Sequence, residues 1–177
     1  MLMYKFDTPI STNEIEESLL RVKEHYYGRY KVNYNIEGNG ILENQLGIYL
    51  WESQDSPSRW PSWTEKRNLG IATVSLPPNW EEVCNSNNIR KAPFLLYKTL
   101  QNDHSVISKL SSPFILSSFE RDIGKITIYT DSIGLGRLYE YRTNRGWIWS
   151  NRIGALPIFE GVESKLDHSA WSIFAGT

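Results

Sequence analysis

The side chains that most often do chemistry in proteins are few in this sequence, and they are scattered. Cys84 is the single cysteine among 177 residues, and no histidine lies near it in the sequence. The three histidines, His25, His104 and His168, lack the paired spacing that is typical of metal ligands. We therefore predict no metal site, and a lone cysteine is more often a small buried side chain than a nucleophile.

A short glycine motif, Gly134-Leu135-Gly136, is similar to part of a phosphate-binding loop. It lacks the third glycine of dinucleotide-binding loops and also the lysine of the P-loop, so the signal for a nucleotide is weak. We accordingly predict that the chain holds no cofactor.

Aromatic residues make up 13% of the chain and include seven tryptophans. Trp60 and Trp63 lie in a segment, 52–68, that is rich in Ser, Pro and charged residues, which predicts a long surface loop. Aromatic-rich loops bind peptides or sugars by stacking and apolar burial, so Trp60, Trp63 and Trp80 are candidate contacts for a ligand or partner. The alternative is that these rings pack back onto a sheet-rich domain, whose half-buried strands suit large aromatic side chains.

Length, charge and hydropathy limit the class of protein. A chain of 177 residues that is 40% hydrophobic predicts one domain, 1–177, with a substantial core. The net charge of −1 argues against nucleic acid and anionic lipid as partners. No apolar run approaches the roughly 20 residues of a membrane span, and a single cysteine cannot form an internal disulfide, so we expect a cytoplasmic protein.

Hydrophobic periodicity predicts the helices. Ser11 and Glu14 have the spacing of a capping box, and apolar positions then recur at helical intervals over 12–27. Further helices are predicted over 92–100, 104–110 and 167–174.

Alternating patterns predict the strands. The turn residues Gly38-Asn39-Gly40 predict a hairpin between 30–36 and 46–51. A strand over 69–76 should stop at Pro77-Pro78, because proline cannot donate a ladder hydrogen bond. Two more hairpins are predicted, pairing 114–119 with 125–130 and 137–142 with 147–150. The order of elements indicates an α+β domain with antiparallel sheets and helices packed on their faces.

The stretch from Ser112 to Thr177 carries a family resemblance. It contains a strand, a turn at Gly124 and a strand ending at Thr130-Asp131, followed by Ile133-Gly134, Leu138-Tyr139, Ser150-Asn151-Arg152, Gly154-Ala155-Leu156 and Leu166-Asp167. This pattern resembles the later half of a class II glutamine amidotransferase domain, the N-terminal domain of asparagine synthetases and their relatives in natural-product pathways. The resemblance implies a four-layer αββα sandwich of antiparallel sheets, the N-terminal-nucleophile (Ntn) hydrolase architecture.

Within this motif, Asp131, Gly134 and Arg137 are predicted to hold a turn. Asp131 follows a strand and can accept backbone N–H bonds or pair with Arg137, while Gly134 suits a sharp turn. In the resembled family an aspartate here mainly holds the turn, so we predict a structural role for it rather than a chemical one.

The catalytic parts of the resembled family do not match. Its enzymes use an N-terminal cysteine, exposed by removal of the initiator methionine, and position 2 here is Leu2. The family builds an oxyanion hole from an Asn-Gly step after a strand, where this chain has Leu76-Pro77-Pro78, and proline has no N–H to donate. The acidic segment that binds the substrate's amino group corresponds to 85–91, which has no carboxylate. An arginine for the glutamine carboxylate could be sought only at Arg59, in a segment that does not match. We predict no catalytic residue and no glutaminase activity.

The resemblance then implies a non-catalytic domain that supports an ATP-dependent, amide-forming partner. That partner would be an ATP-pyrophosphatase-type synthetase domain, in cis or in trans, because this chain contains no Ser-Gly-Gly-x-Asp-Ser loop for pyrophosphate. The alternative is a stand-alone aromatic-rich module that binds a peptide or sugar. An active hydrolase with an unrecognised site is a third hypothesis.

Overall fold

The computed structural model describes residues 1–28, 35–55 and 59–161, and in these ranges the chain is an α+β protein. Its strands are β1 (Leu2–Phe6), β2 (Ile36–Leu42), β3 (Leu46–Ser53), β4 (Trp63–Lys66), β5 (Leu69–Ser75), β6 (Ile115–Glu120), β7 (Lys125–Thr130), β8 (Tyr139–Arg142) and β9 (Gly146–Ser150). Its α-helices are α1 (Thr12–Lys23), α2 (Trp80–Cys84), α3 (Ala92–Asn102) and α4 (Ala155–Glu160). The predicted α+β class is confirmed.

The strands form two antiparallel sheets within the described ranges. The order of strands is β2-β3-β1-β9-β8 in the first sheet and β4-β5-β6-β7 in the second. All neighbouring strands pair antiparallel, so the strands of both sheets alternate in direction. We call them the five-stranded and the four-stranded sheet.

Three hydrophobic clusters hold the sheets and helices together. The first packs α1 and α4 on the five-stranded sheet, the second lies between the two sheets, and the third packs α2 and α3 on the four-stranded sheet. The order of packing is therefore helices, five-stranded sheet, four-stranded sheet, helices. Buried members of the inter-sheet cluster are Met1, Met3, Ile41, Leu46, Ile48, Leu50, Ala72, Ile115 and Phe119.

The first helix begins where its capping residue predicts. The Ser11 hydroxyl accepts the Glu14 N–H at 3.2 Å, which satisfies one of the free amides at the start of α1. The Glu14 carboxylate pairs with Arg145 of the β8–β9 turn instead of bonding back to the Ser11 N–H, so the second hydrogen bond of a capping box is not formed. α1 ends at Lys23, and the chain continues as a π-helical turn, Glu24–Gly28.

The expectation of a turn at Gly38-Asn39-Gly40 is wrong. These residues lie inside β2, opposite Trp51, Leu50 and Tyr49 of β3, and the connection between the strands comes after Leu42. Neither glycine has a positive φ. A Cβ on Gly38 or Gly40 would collide with the Tyr49 ring, so these glycines are explained by close packing rather than by a turn.

The expectation that 52–68 is one surface loop is also wrong in part. β3 continues to Ser53, and Trp63–Lys66 forms β4, which pairs antiparallel with β5. The short, polar sequence of β4 is typical of an edge strand, and its residues adopt a regular strand conformation because they pair with β5.

The other predicted elements agree with the structure where it describes them. The strand before Pro77-Pro78 and the hairpin of β6 and β7 are confirmed, as is the helix that begins around Pro93. The segment His104–Lys109 is a 3₁₀ helix, and α2 was not predicted from the sequence. The predicted strand residues 30–34 and the last predicted helix, 167–174, lie outside the described residues.

Within the described ranges, no helix combines the length and the apolar character that are needed to cross a lipid bilayer.

We predict that Gly40→Ala lowers the free energy of unfolding by about 1–3 kcal/mol, because the new methyl group would collide with the Ile48 carbonyl oxygen and with Tyr49. Gly28→Ala is the matched control, since a Cβ there meets only the Glu24 Cβ, at 3.7 Å. Urea unfolding of both variants measures the difference. Equal stability of the two variants would contradict the strand packing at Gly40.

Candidate functional site

The candidate site lies where β1, the central strand of the five-stranded sheet, begins. β1 runs antiparallel between β3 and β9. Leu2 pairs with Ser150, the last residue of β9, on one side and with Tyr49, in the middle of β3, on the other. The start of β1 and the end of β9 therefore meet, and the second half of β3 continues past them.

Hydrogen bonds hold Met1 in place just before β1. The Met1 amino group donates to Asn151 Oδ1 at 2.8 Å, and the Ser150 hydroxyl donates to the Met1 carbonyl at 2.9 Å. The same hydroxyl accepts the Arg152 N–H at 3.1 Å. Desolvation by burial, with the nearby charge of Arg152, lowers the pKa of the Met1 amino group to about 5.

The side chains at this position are chemically inert as nucleophiles. Met1 ends in a thioether and is 7% exposed, while Leu2 is fully buried in the cluster beneath α1 and α4. Neither side chain can attack an amide carbon, because attack requires a thiol, a hydroxyl or an amine with an available lone pair.

A small cavity of about 110 Å³ borders Met1 on the side that faces the four-stranded sheet. It is lined by Glu52, Ser62 and Thr73, and the Ser62 hydroxyl donates a hydrogen bond to the Glu52 carboxylate. Ligand sites are typically about 300–1,000 Å³, so this cavity suits a few water molecules rather than an amino acid.

The Ser62–Glu52 pair was missed by reasoning from the sequence. Glu52 belongs to β3 and Ser62 lies just before β4, and no residue spacing marks the two as neighbours. Ser62 is 5% exposed, and its carbonyl accepts the Thr73 N–H at 2.7 Å. No histidine lines the cavity among the described residues, so the pair lacks the base that usually activates a serine.

The segment that the resemblance places at the oxyanion hole forms hydrogen bonds within the protein. Pro77-Pro78 follows β5, and the Pro77 carbonyl accepts the Trp80 N–H at 3.0 Å where α2 begins. The Asn79 amide, the nearest side chain of the required type, donates to the Lys109 carbonyl at 2.8 Å and accepts the Ser111 N–H at 2.8 Å. It therefore braces the loop after α3 and does not face a substrate.

Cys84, His25 and His104 form no cluster. Cys84 is half-buried at the end of α2, and burial raises the pKa of its thiol, although a hydrogen bond from Thr99 opposes the shift. His25 packs edge-on against Tyr26, and His104 stacks on Tyr129. His168 lies outside the described residues. Across the described part of the chain, no group of His, Cys, Asp and Glu could hold a metal ion.

The three candidate tryptophans do not share an exposed surface. Trp80 is 5% exposed in the cluster between the four-stranded sheet and its helices, so its burial removes it from any contact surface. Trp60 packs against that same cluster and donates from its indole to the Thr73 carbonyl at 3.5 Å. Trp63 packs instead on the inter-sheet cluster. A ligand contact by Trp60 or Trp63 stays a prediction.

Asp131 is held in the turn after β7. It is 5% exposed and accepts the backbone N–H groups of Phe114, Leu135 and Gly136. Desolvation raises its pKa, but these hydrogen bonds to the ionised form outweigh it, and the pKa of Asp131 is lowered overall. Gly134 has a φ of 73°, as a sharp turn requires.

Arg137 is exposed and makes no ion pair with Asp131. The aspartate is instead satisfied by backbone groups, so the turn does not need the arginine for charge balance.

Comparisons with known proteins add no family to this picture. A scan of the chain against protein-family models gives no match, and a search of the curated proteins finds no match either.

We predict that Asp131→Asn lowers stability at pH 7 by roughly 1.5–3 kcal/mol, the range for hydrogen bonds to a charged group. Because folding lowers the pKa of Asp131, its contribution is complete above the unfolded pKa near 3.9 and is lost as the pH falls through the folded pKa. Urea unfolding at pH 7 and at pH 3 should show the difference between wild type and variant shrinking in acid. A difference that stays constant with pH would contradict this role.

Proposed function

We propose that this chain is a non-catalytic amidotransferase-like domain that supports or docks on an asparagine synthetase-like, ATP-dependent partner. The observation that carries the proposal is the start of β1. Leu2 lies fully buried at the start of a central strand, the position at which the resembled Ntn architecture holds its nucleophile. Leu2 carries an aliphatic side chain instead of a thiol, and Met1 before it carries a thioether.

The order of packing supports the proposed fold. Helices cover the outer faces of both sheets, and an apolar cluster joins the inner faces. This matches the order of layers expected of an αββα sandwich, with β1 at the centre of one sheet. A fold alone does not establish a function, so the argument also needs the details of the site.

Three separate features support the loss of glutaminase activity. Met1 and Leu2 have no nucleophilic side chain, the Asn79 amide is engaged elsewhere, and the inter-sheet cavity of about 110 Å³ has no room for glutamine. Each feature alone would impair the reaction, and none compensates for another.

The proposal has a consequence for the source of nitrogen. A synthetase partner that adenylates a carboxylate would receive no ammonia from this domain, so it would use free ammonia or an amine. We also propose a cytoplasmic setting, since the single cysteine fits a reducing compartment and the partner would consume ATP.

The first test is an assay for glutamine hydrolysis. Purified domain incubated with glutamine should release ammonia no faster than buffer does, and Cys84→Ala should behave like the wild type. Turnover that persists through purification and disappears in Cys84→Ala would overturn the proposal.

The second test examines the partner. The domain should be isolated from its source cells together with any chain that is fused to it or bound to it. Carboxylate-dependent exchange of pyrophosphate into ATP is then measured on that assembly, followed by amide formation with ammonium or with glutamine. We expect exchange, and an amide product with ammonium or an amine but not with glutamine. An assembly with no such exchange, or a product that depends on glutamine, would contradict the proposed role.

A further inference from the structure

A second cavity lies beside the start of β1, on the face of the five-stranded sheet that packs against the helices. Its volume is about 600 Å³, against about 110 Å³ for the inter-sheet cavity, which places it within the usual range for small-molecule sites. Val22 of α1 and Ala155 of α4 contribute apolar surface, and Met1 borders it at the start of β1. The cavity is therefore large enough for a ligand and is built on regular elements.

The charge of this cavity is positive. Arg152 is the only lining side chain with a formal charge among the described residues, and none of these is an aspartate or glutamate. After burial, its charge is the second cause that lowers the pKa of the Met1 amino group, and in Tyr26 and Tyr27 it opposes the larger effect of burial, which raises their pKa. The Arg152 guanidinium has no carboxylate partner in the described part of the chain.

The neutral polar groups of the cavity can donate hydrogen bonds. Burial raises the pKa of Tyr26 and Tyr27, and this outweighs the effect of Arg152, so both phenols keep their protons at neutral pH. Asn151 uses its Oδ1 to accept from Met1, which leaves its N–H groups to donate. Donors around one cation favour an anion, and a planar carboxylate matches the fork of an arginine.

The remaining walls are aromatic and are held in place by their neighbours. Trp51 packs edge-on against Tyr49, with ring centroids 5.0 Å apart, and Tyr26 packs edge-on against His25 at 5.2 Å. Both Trp51 and Tyr26 also pack against the cluster beneath α1 and α4. Rings fixed in this way offer surface for stacking at little entropic cost.

We propose that this cavity binds a small aromatic carboxylate, with the carboxylate on Arg152 and the ring against Trp51 and Tyr26. The site does not depend on the function proposed above: Met1, Trp51 and Asn151 border both cavities, but Arg152 and Tyr26 line only the larger one. It requires no catalytic group, and its ligand can be held whether or not the domain has a partner.

Isothermal titration with phenylacetate tests the proposal, with phenylacetamide as the uncharged analogue of the same shape. We expect phenylacetate to bind with a Kd at or below about 1 mM. Phenylacetamide should bind the wild type at least about tenfold more weakly, since it cannot form the ionic contact. Absence of phenylacetate binding, or equal affinity for the two compounds, overturns the proposal.

Two variants locate the ligand. Arg152→Gln should weaken phenylacetate binding by about tenfold or more, whereas Arg90→Gln, at an exposed arginine that does not line the cavity, should leave it unchanged. Ser53→Trp places a ring into the cavity from the end of β3 and should abolish binding. Circular dichroism checks that each variant is folded. Because Arg152 is exposed, its substitution tests the site even if Ser53→Trp fails to fold. Unchanged binding to Arg152→Gln overturns the proposal.

Discussion

Burial of β1 on both of its faces is the constraint on which the rest of the structure depends. Leu2, Tyr4 and Phe6 point into the cluster beneath the helices, while Met3 points into the cluster between the sheets. All four side chains are no more than 3% exposed. A strand in this position cannot shift by one residue without exchanging both sets of side chains, so its register is strongly fixed. Any group at its first residue is consequently held in one place.

Arg145 connects this strand to the outer helices. It lies in the β8–β9 turn, pairs with Glu14 in the first turn of α1, and approaches Glu160 at the end of α4 at 3.5 Å. Its guanidinium also lies over the Phe6 ring, 5.5 Å from the centroid. The carboxylate of Glu160 is nearly buried, so the arginine compensates a charge that would otherwise be costly there. The far end of β1 and the ends of two helices are thus fixed by one side chain.

Local patterns predicted the elements that depend on local interactions. The hairpin of β6 and β7 and the hydrogen-bonding capacity of Asp131 could be read from neighbouring residues. Gly38 and Gly40 were misread because their role is set by the Tyr49 ring on another strand. The site was harder to predict, because no local pattern links Ser62 to Glu52, and the cavity around Arg152 is assembled from elements distant in sequence, from Val22 of α1 to Ala155 of α4. The sequence shows which residue types stand at positions 2, 77 and 78, but not which space the fold leaves around them.

If the domain has lost glutaminase activity, as we propose, the two cavities beside Met1 bear on whether that chemistry could easily return. A nucleophile would have to replace the fully buried Leu2, Pro77 would have to give way to a donor, and the inter-sheet cavity would have to open. Buried substitutions of this kind typically cost about 1–3 kcal/mol each, against a total stability of about 5–15 kcal/mol. Three such changes together would remove much of that stability. Changes around the larger cavity are less constrained, because Arg152 is exposed and Ser53 is only partly buried. On the function that we propose, new binding properties can therefore arise in the larger cavity, on the face of the sheet that packs against the helices, without disturbing β1.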